Sequence, residues 1–310
     1  MINVLFSAKP ERWGFYKDAL KSSFQKAGLD VDLRCEFEDP ASVDYLVFAP
    51  NGPVSDFTPF TGAKAVLNLW AGVENLTRNP TLNIPLARMV DTGLTEGMRE
   101  YVCGHVLRHH LGMDTYIQAK PLDWKQSVPP LARNRTVGIL GLGALGQDCA
   151  RSLAALNFNV LGWSRRPKDI DGITSFSGDA GLKALLSEAE ILVLLLPHTP
   201  QTEKIVNAEA LALLPKGAVI INPGRGALID DNALLSALSN GQVAHATLDV
   251  FWLEPLPSDH PYWAHPNVTI TPHIASETRA DTASEIIADN IKRGEAGQEF
   301  LFLVDRTAGY

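Results

Sequence analysis

Short apolar runs alternate with longer amphipathic stretches through the first third of the chain. The short runs have the length of strands, and the longest stretch has the spacing of a helix that ends at a glycine. Such alternation is typical of a parallel sheet flanked by helices. The pattern predicts strands at residues 2–6, near Val31, at 45–48 and at 65–69, with a helix at residues 10–27 closed by Gly28.

The same alternation restarts at Thr136, with runs that are almost wholly apolar. Strands covered by helices on both faces have this composition, so the second part of the chain predicts a doubly wound parallel sheet. Residues from Pro121 to Asn134 are expected to form an exposed crossing between the two parts. The predicted strands lie at residues 137–140, 159–163, 191–196, 218–221 and 244–249, and the predicted helices at 179–189, 208–213, 231–241 and 282–293.

A further helix is predicted between these two parts. Thr95 is a suitable N-cap, apolar residues follow at helical spacing, and Gly112 is a suitable stop. The adjacent His109 and His110 do not predict a metal site, because adjacent residues point in different directions on a helix and no carboxylate or cysteine stands at a ligand spacing. We therefore expect Arg108, His109 and His110 to form a solvated or interface patch.

A glycine-rich turn follows the first strand of the second part and precedes a helix. In a dinucleotide-binding turn, the first glycine (Gly141) makes the tight turn, the second (Gly143) lets the backbone approach a pyrophosphate, and the third (Gly146) lets helix and strand pack closely. The helix amino terminus at Ala144 and Leu145 would offer unpaired N–H groups to the phosphates. A plain structural turn is the alternative, but the strand–turn–helix context favours a dinucleotide site.

The end of the next predicted strand bears on the choice of nucleotide. NAD-binding folds usually place an acidic residue there, about 20 residues after the glycines, to bind the adenosine ribose. This chain has Ser164, Arg165 and Arg166 instead, which can hydrogen-bond and pair with a 2′-phosphate. The sequence therefore predicts NADP(H) as the preferred cofactor, with NAD(H) possible. Two solvated loop arginines are the alternative interpretation.

Three later loops follow strands of the same predicted sheet and should converge on one end of the nucleotide. They contribute Arg225, Glu254 and His273. Arg225 can hold a carboxylate and polarise the adjacent carbonyl. His273 can donate a proton to the carbonyl oxygen, while Glu254 orients the imidazole and favours its protonated form. The three residues together predict reduction of a 2-oxo acid, although each alone could be structural.

Composition narrows the class of protein. The chain has 310 residues, of which 45% are hydrophobic and 20% charged, and this suits a globular protein of two domains. A net charge of -8 argues against nucleic acid as a partner.

The scattered Cys35, Cys103 and Cys149 suit reduced thiols, and each is expected to be a small buried residue. Since no apolar run has the length of a signal-peptide core or a membrane span, we expect a cytoplasmic protein.

Several motifs in the same order resemble the D-isomer-specific 2-hydroxyacid dehydrogenases over nearly the whole chain. The resemblance implies a Rossmann cofactor domain, residues 99–276, inserted in a discontinuous flavodoxin-like substrate domain, residues 1–98 and 277–310. It also implies an NAD(P)-dependent oxidoreductase that forms a homodimer through the region of the helix at residues 95–112. The matching motifs lie at residues 141–146, 222–226, 249–255 and 272–275.

The resemblance also assigns roles to individual residues. Arg225, Glu254 and His273 would be the catalytic set, and Asp249 would contact the nicotinamide carboxamide. The implied substrate contacts are Ala71, Gly72, Val73, Arg225 and His273. Besides the glycine turn and residues 164–166, the implied cofactor contacts are Pro197, Thr202, Pro223, Asp249 and Ala275.

Within the family, residues 70–76, 164–166 and 254–257 resemble most a subgroup of NADPH-dependent reductases that act on glyoxylate and hydroxypyruvate. This implies reduction of a small 2-oxo acid to the 2-hydroxy acid, with His273 as general acid. Two alternatives stay open. One is an NAD-dependent dehydrogenase for a bulkier 2-oxo acid, and the other is a binding protein that senses a dinucleotide without turnover as its main role.

Overall fold

The chain divides into two compact units. The computed structural model describes residues 1–117, 124 and 126–309. One unit comprises Met1–Leu94 and Glu277–Tyr310, and the other comprises Thr95–Ser276. Pro121, at the start of the predicted crossing, lies outside the described residues.

The boundary between the first unit and the second lies at a different residue from the one that the sequence predicted. The division falls after Leu94, whereas the sequence predicted it after residue 98. Met98 is buried with Val102 and Val106 in a core of the second unit, and this packing places the segment with that unit.

The first unit is built on a parallel sheet. Its strands lie in the order β2-β1-β3-β4-β5, which is the order of flavodoxin-like folds, and the pairings are parallel. Its elements along the chain are β1 (Ile2–Ser7), α1 (Pro10–Ala27), β2 (Val31–Arg34), β3 (Tyr45–Phe48), β4 (Ala65–Asn68), α2 (Glu74–Thr77) and β5 (Leu86–Ala87).

Helix α1 has the bounds that the sequence predicted. Pro10 occupies its first turn, where the missing N–H costs no helical hydrogen bond. Gly28 follows its end with φ 73°, the left-handed conformation that commonly terminates a helix. Leu20 and Phe24 bury the inner face of the helix in the core of this unit.

The second unit is built on a larger parallel sheet, which confirms the predicted doubly wound architecture. Its strands lie in the order β12-β11-β10-β9-β6-β7-β8, so the order reverses between β6 and β9. Its elements, in chain order, are α3 (Thr92–His110), which begins before the unit boundary, α4 (Met113–Ile117), β6 (Thr136–Leu140), α5 (Ala144–Ala155), β7 (Asn159–Trp163), β8 (Thr174–Phe176), α6 (Gly178–Glu188), β9 (Ile191–Leu194), α7 (Ala208–Leu213), β10 (Ala218–Asn222), α8 (Asp231–Ser239), β11 (Val243–Leu248) and β12 (Val268–Ile270).

The chain then returns to the first unit through α9 (Ala280–Glu295). Ile287 and Ile291 of this helix share a core with Leu20 and Phe24 of α1. The apolar face that the sequence predicted for the last helix is therefore buried within the first unit.

Parallel pairing in the second sheet brings the functional loops to one edge. The carboxyl end of β6 lies beside those of β7 and β9, and the loops after β10, β11 and β12 follow along the same edge. Ligands bind at this edge, near the point where the strand order reverses, in open α/β sheets.

Helix α3 begins earlier than predicted. It starts at Thr92 rather than after Thr95, because Asp91 Oδ1 accepts the N–H of Leu94 at 3.3 Å and caps the earlier turn. Gly112, with φ 62°, lies just beyond the helix end as expected.

The solvated interpretation of the patch on α3 is wrong. His109 Nε2 lies 2.9 Å from Thr247 Oγ1, His110 is buried, and Arg108 pairs with Asp114 at 2.7 Å. Burial lowers the pKa of His109 to about 3, so its ring is neutral. Thr247 on the sheet is the partner of His109, Asp114 is the partner of Arg108, and the His110 ring packs edge-on against the ring of Phe158.

The cysteines only partly follow expectation. Cys149 is buried and Cys103 partly buried, but Cys35 is exposed because it directly follows β2, an edge strand of the first sheet. None of the helices in the described residues combines the length and the apolarity that crossing a membrane requires.

Candidate active site

The glycine turn connects β6 to α5. Gly141 has φ 112°, a conformation that L side chains rarely adopt, and its N–H donates to the carbonyl of Trp163 at 2.8 Å. A Cβ on Gly146 would lie 1.8 Å from the carbonyl oxygen of Gly141, so α5 approaches the turn this closely only with glycine at that position. The first and third glycines therefore have the turn and packing geometry that the motif requires.

The second glycine leaves space open at the amino terminus of α5. Gly143 is the N-cap, and a Cβ built on it would meet no heavy atom within 4 Å. The N–H groups of Ala144 and Leu145 lie in the first turn and have no acceptor within the helix, because the first acceptor, the Gly143 carbonyl, serves Gln147. Open space beside unpaired N–H groups fits the phosphates of a dinucleotide.

The loop after β7 lies beside the glycine turn. A Cβ on Gly162 would lie 2.6 Å from Leu142 Cδ2, so this strand packs directly against the turn. Ser164 Oγ donates to the carbonyl of Arg166 at 2.7 Å, and the side chains of Arg165 and Arg166 are exposed. The loop thus presents two guanidinium groups at the end of β7.

The loop after β9 is stabilised by hydrogen bonds between its own residues. The hydroxyl of Thr202 donates to the carbonyl of Pro197 at 2.6 Å and accepts the N–H of Thr199 at 2.8 Å. Thr202 is 9% exposed, so its side chain serves the shape of this loop. Cofactor contacts at Pro197 and Thr202 stay a prediction.

Arg225 lies in a rigid turn after β10. Asn222 is fully buried, and its Oδ1 accepts the N–H of Gly224 at 3.1 Å while its Nδ2 donates to the carbonyl of Arg225 at 2.9 Å. A Cβ on Gly226 would lie 2.0 Å from the carbonyl carbon of Phe251, so the turn packs tightly against the next loop. Pro223 is buried within the turn. The backbone that carries Arg225 is therefore fixed on both sides.

His273 and Glu254 form a direct pair. His273 Nδ1 lies 2.7 Å from Glu254 Oε2, and the N–H of Phe251 donates to Glu254 Oε1 at 2.9 Å. Because an ionised carboxylate only accepts, Nδ1 of the imidazole is the donor. The other ring nitrogen, Nε2, is then the one that can exchange a proton with a substrate.

The pKa values of His273 and Glu254 both shift in the direction that favours the charged form of each group. The hydrogen bond to Glu254 raises the pKa of His273 above its ordinary value, against the opposing effect of burial. Burial acts to raise the pKa of Glu254, but the hydrogen bonds from His273 and from the Phe251 N–H, with the charges of His273 and Arg225, outweigh it and lower that pKa. The structure therefore favours an imidazolium–carboxylate pair in the field of a guanidinium.

Asp249 anchors the loop that carries the imidazole. Its side chain is fully buried, Oδ1 accepts from the Thr271 hydroxyl at 2.6 Å and from the Ile274 N–H at 2.9 Å, and Oδ2 accepts from the Ala275 N–H at 2.8 Å. Both oxygens thus have donors within the protein. Contacts of Asp249 and Ala275 with a nicotinamide stay a prediction.

Within the first unit, the loop after β4 holds the residues predicted to bind substrate. Asn68 Nδ2 donates to the carbonyls of Trp70 and Gly72 at 2.7 and 3.1 Å, and the side chain of Val73 is buried. These contacts fix the loop that includes Ala71. Substrate binding by its N–H groups stays a prediction.

Comparison with known proteins decides the family. Residues 103–275 match the family described as D-isomer specific 2-hydroxyacid dehydrogenase, NAD binding domain. This chain belongs to the D-isomer-specific 2-hydroxyacid dehydrogenases. Among these dehydrogenases it is similar to glyoxylate/hydroxypyruvate reductase A of Yersinia enterocolitica, with 45% identity over 281 residues that cover 88% of this chain and 89% of that protein.

Solved structures of the family have the same fold. A D-isomer-specific 2-hydroxyacid dehydrogenase from Xanthobacter autotrophicus Py2, in complex with NADPH and MES, is 40% identical with a TM-score of 0.92, covering 100% of this chain and 99% of that one. An NADPH-dependent glyoxylate/hydroxypyruvate reductase from Sinorhizobium meliloti, in complex with NADP and sulfate, is 35% identical with a TM-score of 0.87, covering 100% of both chains. The predicted family, fold and class of NAD(P)-dependent oxidoreductase are confirmed.

Sequence reasoning missed residues that hold the predicted ones in place. Asn222 braces the turn of Arg225, and Thr271 holds Asp249. Asn222 ends the strand β10 and Thr271 directly follows β12, so a polar residue at the carboxyl end of a strand was the available signal.

Proposed function

We propose that the protein reduces a small 2-oxo acid, such as glyoxylate or hydroxypyruvate, to the 2-hydroxy acid with NADPH. The observation that carries this proposal is the 2.7 Å contact between His273 Nδ1 and Glu254 Oε2, which holds a proton donor in the field of Arg225. The relative from Yersinia enterocolitica and the structure from Sinorhizobium meliloti are both named as reductases of glyoxylate and hydroxypyruvate.

Each member of the catalytic set has a separate task. Arg225 binds the substrate carboxylate and polarises the neighbouring carbonyl. NADPH, when bound, supplies the hydride that reduces the carbonyl carbon. His273 donates the proton on Nε2 to the carbonyl oxygen and becomes neutral, while Glu254 stabilises the imidazolium beforehand and keeps the ring oriented.

The cofactor assignment rests on two sets of residues. Gly143, Ala144 and Leu145 would hold the pyrophosphate at the amino terminus of α5, where the structure has open space. Ser164, Arg165 and Arg166 would bind the 2′-phosphate of NADPH, because residues 164–166 supply a hydroxyl and two guanidinium groups. The contacts inferred at Pro197, Thr202, Pro223, Asp249 and Ala275 complete this part of the proposal.

The division of labour between the units follows from the same residues. We infer that the unit Thr95–Ser276 binds the dinucleotide and that the other unit binds substrate, through the N–H groups of Ala71, Gly72 and Val73. We also infer a cytoplasmic homodimer. Light scattering of the purified protein tests the dimer.

Steady-state absorbance of the reduced cofactor tests the activity. NADPH and NADH are each assayed with glyoxylate, hydroxypyruvate, pyruvate and phenylpyruvate. We expect turnover of the two small acids with NADPH at a lower KM than with NADH. Absence of turnover with every 2-oxo acid excludes the reductase, and a lower KM for NADH excludes the cofactor assignment.

A further inference from the structure

The loop that carries His273 has a conformation that its own sequence does not favour. His273 has φ 56°, in the left-handed region that non-glycine residues rarely adopt. Its N–H donates to the carbonyl of Asp249 at 2.8 Å, and the next two N–H groups, of Ile274 and Ala275, donate to the Asp249 carboxylate. Asp249 thus fixes the backbone from which the imidazole projects.

A chain of hydroxyl groups holds the Asp249 carboxylate in turn. Thr271 Oγ1 donates to Asp249 Oδ1 at 2.6 Å, because an ionised carboxylate can only accept. The single hydroxyl proton of Thr271 is then committed, so in the 2.7 Å contact between Thr271 Oγ1 and Tyr101 Oη the phenol is the donor. The hydrogen bonds therefore all point in one direction, with Tyr101 donating to Thr271 and Thr271 donating to Asp249.

Tyr101, the first donor in this row of hydrogen bonds, is held in place by the packing of helix α3. Val102 and Val106 of the helix are buried in a core of the second unit, and the Tyr101 ring lies 4.4 Å from the His105 ring between centroids. Burial raises the pKa of Tyr101 to about 12, so the phenol remains a donor at neutral pH.

We propose that Tyr101 and Thr271 are positioning residues that act through Asp249 to hold His273 against Glu254. The catalytic meaning of this inference rests on the proposed function, since both concern the same imidazole. The contribution of the two residues is to the orientation of the proton donor, and orientation affects turnover more than it affects binding of the cofactor.

Thr271→Val removes the hydroxyl and keeps the branched shape of the side chain. Asp249 loses one of its donors, so we expect kcat for reduction to fall about tenfold, while KM for NADPH, to which Asp249 is proposed to contribute only one of several contacts, changes by a smaller factor. Tyr101→Phe removes only the outer donor and should lower kcat by about threefold. Thr271→Ser, which keeps the hydroxyl, should restore wild-type turnover.

Thr269→Val is the matched control. Thr269 lies on β12 just before Thr271, and its hydroxyl bonds His245 and Arg108 instead of Asp249. We expect this variant to keep the kcat of the wild type even if its melting temperature falls.

The decisive measurement does not need turnover. NMR titration of isotope-labelled histidine, in the protein without cofactor, gives the pKa of the His273 ring, and the signal is assigned by its loss in His273→Gln. The groups that act on this ring are Glu254, Arg225 and Asp249. When the loop is released, the contact with Glu254 weakens, so we expect the pKa of His273 to fall by about half a unit or more in Thr271→Val.

The outcomes separate the two proposals. A His273 pKa in Thr271→Val equal to that of the wild type, or an equal fall in Thr269→Val, overturns the inference. If Thr271→Val does not fold, Tyr101→Phe is judged by the same titration. A wild-type protein that turns over no 2-oxo acid defeats the proposed function, while the titration still decides the hydrogen-bond chain.

Discussion

His273 Nδ1 and Glu254 Oε2 lie 2.7 Å apart, in a hydrogen bond between two groups that are both only partly shielded from solvent. The bond raises the pKa of His273 above its ordinary value of 6.5. The bond therefore favours the protonated imidazole, which is the form that donates a proton in reduction. In the reverse direction, the same ring must be neutral to accept a proton.

This pair predicts opposite pH profiles for the two directions of reaction. We expect kcat/KM for reduction to be level at low pH and to fall as pH rises through the pKa of His273, which lies above 6.5. The oxidation rate should rise over the same range. Glu254→Gln removes the charge that stabilises the imidazolium, so the fall in kcat/KM for reduction should occur at lower pH. If this fall occurs at the same pH in Glu254→Gln as in the wild type, another group controls it.

Removal of either charged partner of the substrate should stop turnover without loss of cofactor binding. We expect His273→Ala and Arg225→Ala to lower kcat by roughly two to four orders of magnitude, because the first removes the general acid and the second removes electrostatic stabilisation. Titration calorimetry with NADPH should give a Kd near that of the wild type. If both variants lose NADPH binding, the two residues are structural and the proposed roles are wrong.

The sequence predicted the fold well where strands are long and apolar. The strand Asn159–Trp163 and the helix Ala208–Leu213 have the predicted bounds, because each is a continuous apolar or amphipathic run between turn residues. Parallel pairing brings the strand ends to one edge, so the sequence alone is enough to group Arg225, Glu254 and His273.

The sequence pattern did not predict the short strands, the cap of α3 or the long-range hydrogen bonds that hold the site residues. The strands Thr174–Phe176 and Val268–Ile270 are too short to show a period, and both lie at edges of the sheet. The early start of α3 depended on a cap from Asp91 that competed with Thr95. The contact between Tyr101 and Thr271 joins residues far apart in the chain, so it depends on packing that no local pattern reports.

Asn222 should affect turnover through the turn that carries Arg225. Asn222→Asp keeps an acceptor for the Gly224 N–H but replaces the donor that binds the Arg225 carbonyl with an oxygen that repels it. We expect kcat/KM for the 2-oxo acid to fall about tenfold or more, with an unchanged Kd for NADPH.

Asn240→Asp is the matched control for that change. The Oδ1 of Asn240 makes the same type of bond, to the Gln242 N–H at 2.9 Å, but on an exposed turn after α8. Steady-state kinetics should show wild-type values for this variant. Equal kinetics for Asn222→Asp and the wild type would mean that Arg225 does not depend on the brace.

The arginines after β7 should distinguish the two dinucleotides. We expect a double variant, Arg165→Gln with Arg166→Gln, to raise KM for NADPH about tenfold or more and to leave KM for NADH nearly unchanged, because only NADPH carries the 2′-phosphate. Higher salt should weaken NADPH binding in the wild type more than in the variant. Arg133→Gln is the control, since this exposed arginine lies before β6, at the opposite ends of the strands. Equal effects on NADPH and NADH would contradict the assignment.

Two glycines of the turn should respond differently to the same substitution. In Gly146→Ala, the new methyl would lie 1.8 Å from the Gly141 carbonyl oxygen, so the backbone must move, and we expect unfolding in urea to show a loss of about 1–3 kcal/mol together with lost NADPH binding. In Gly143→Ala, the methyl meets no heavy atom within 4 Å, so stability should change by less than about 1 kcal/mol. NADPH binding should nevertheless weaken, because the methyl occupies the space proposed for the pyrophosphate. A Gly143→Ala protein that binds NADPH as tightly as the wild type would place the pyrophosphate elsewhere.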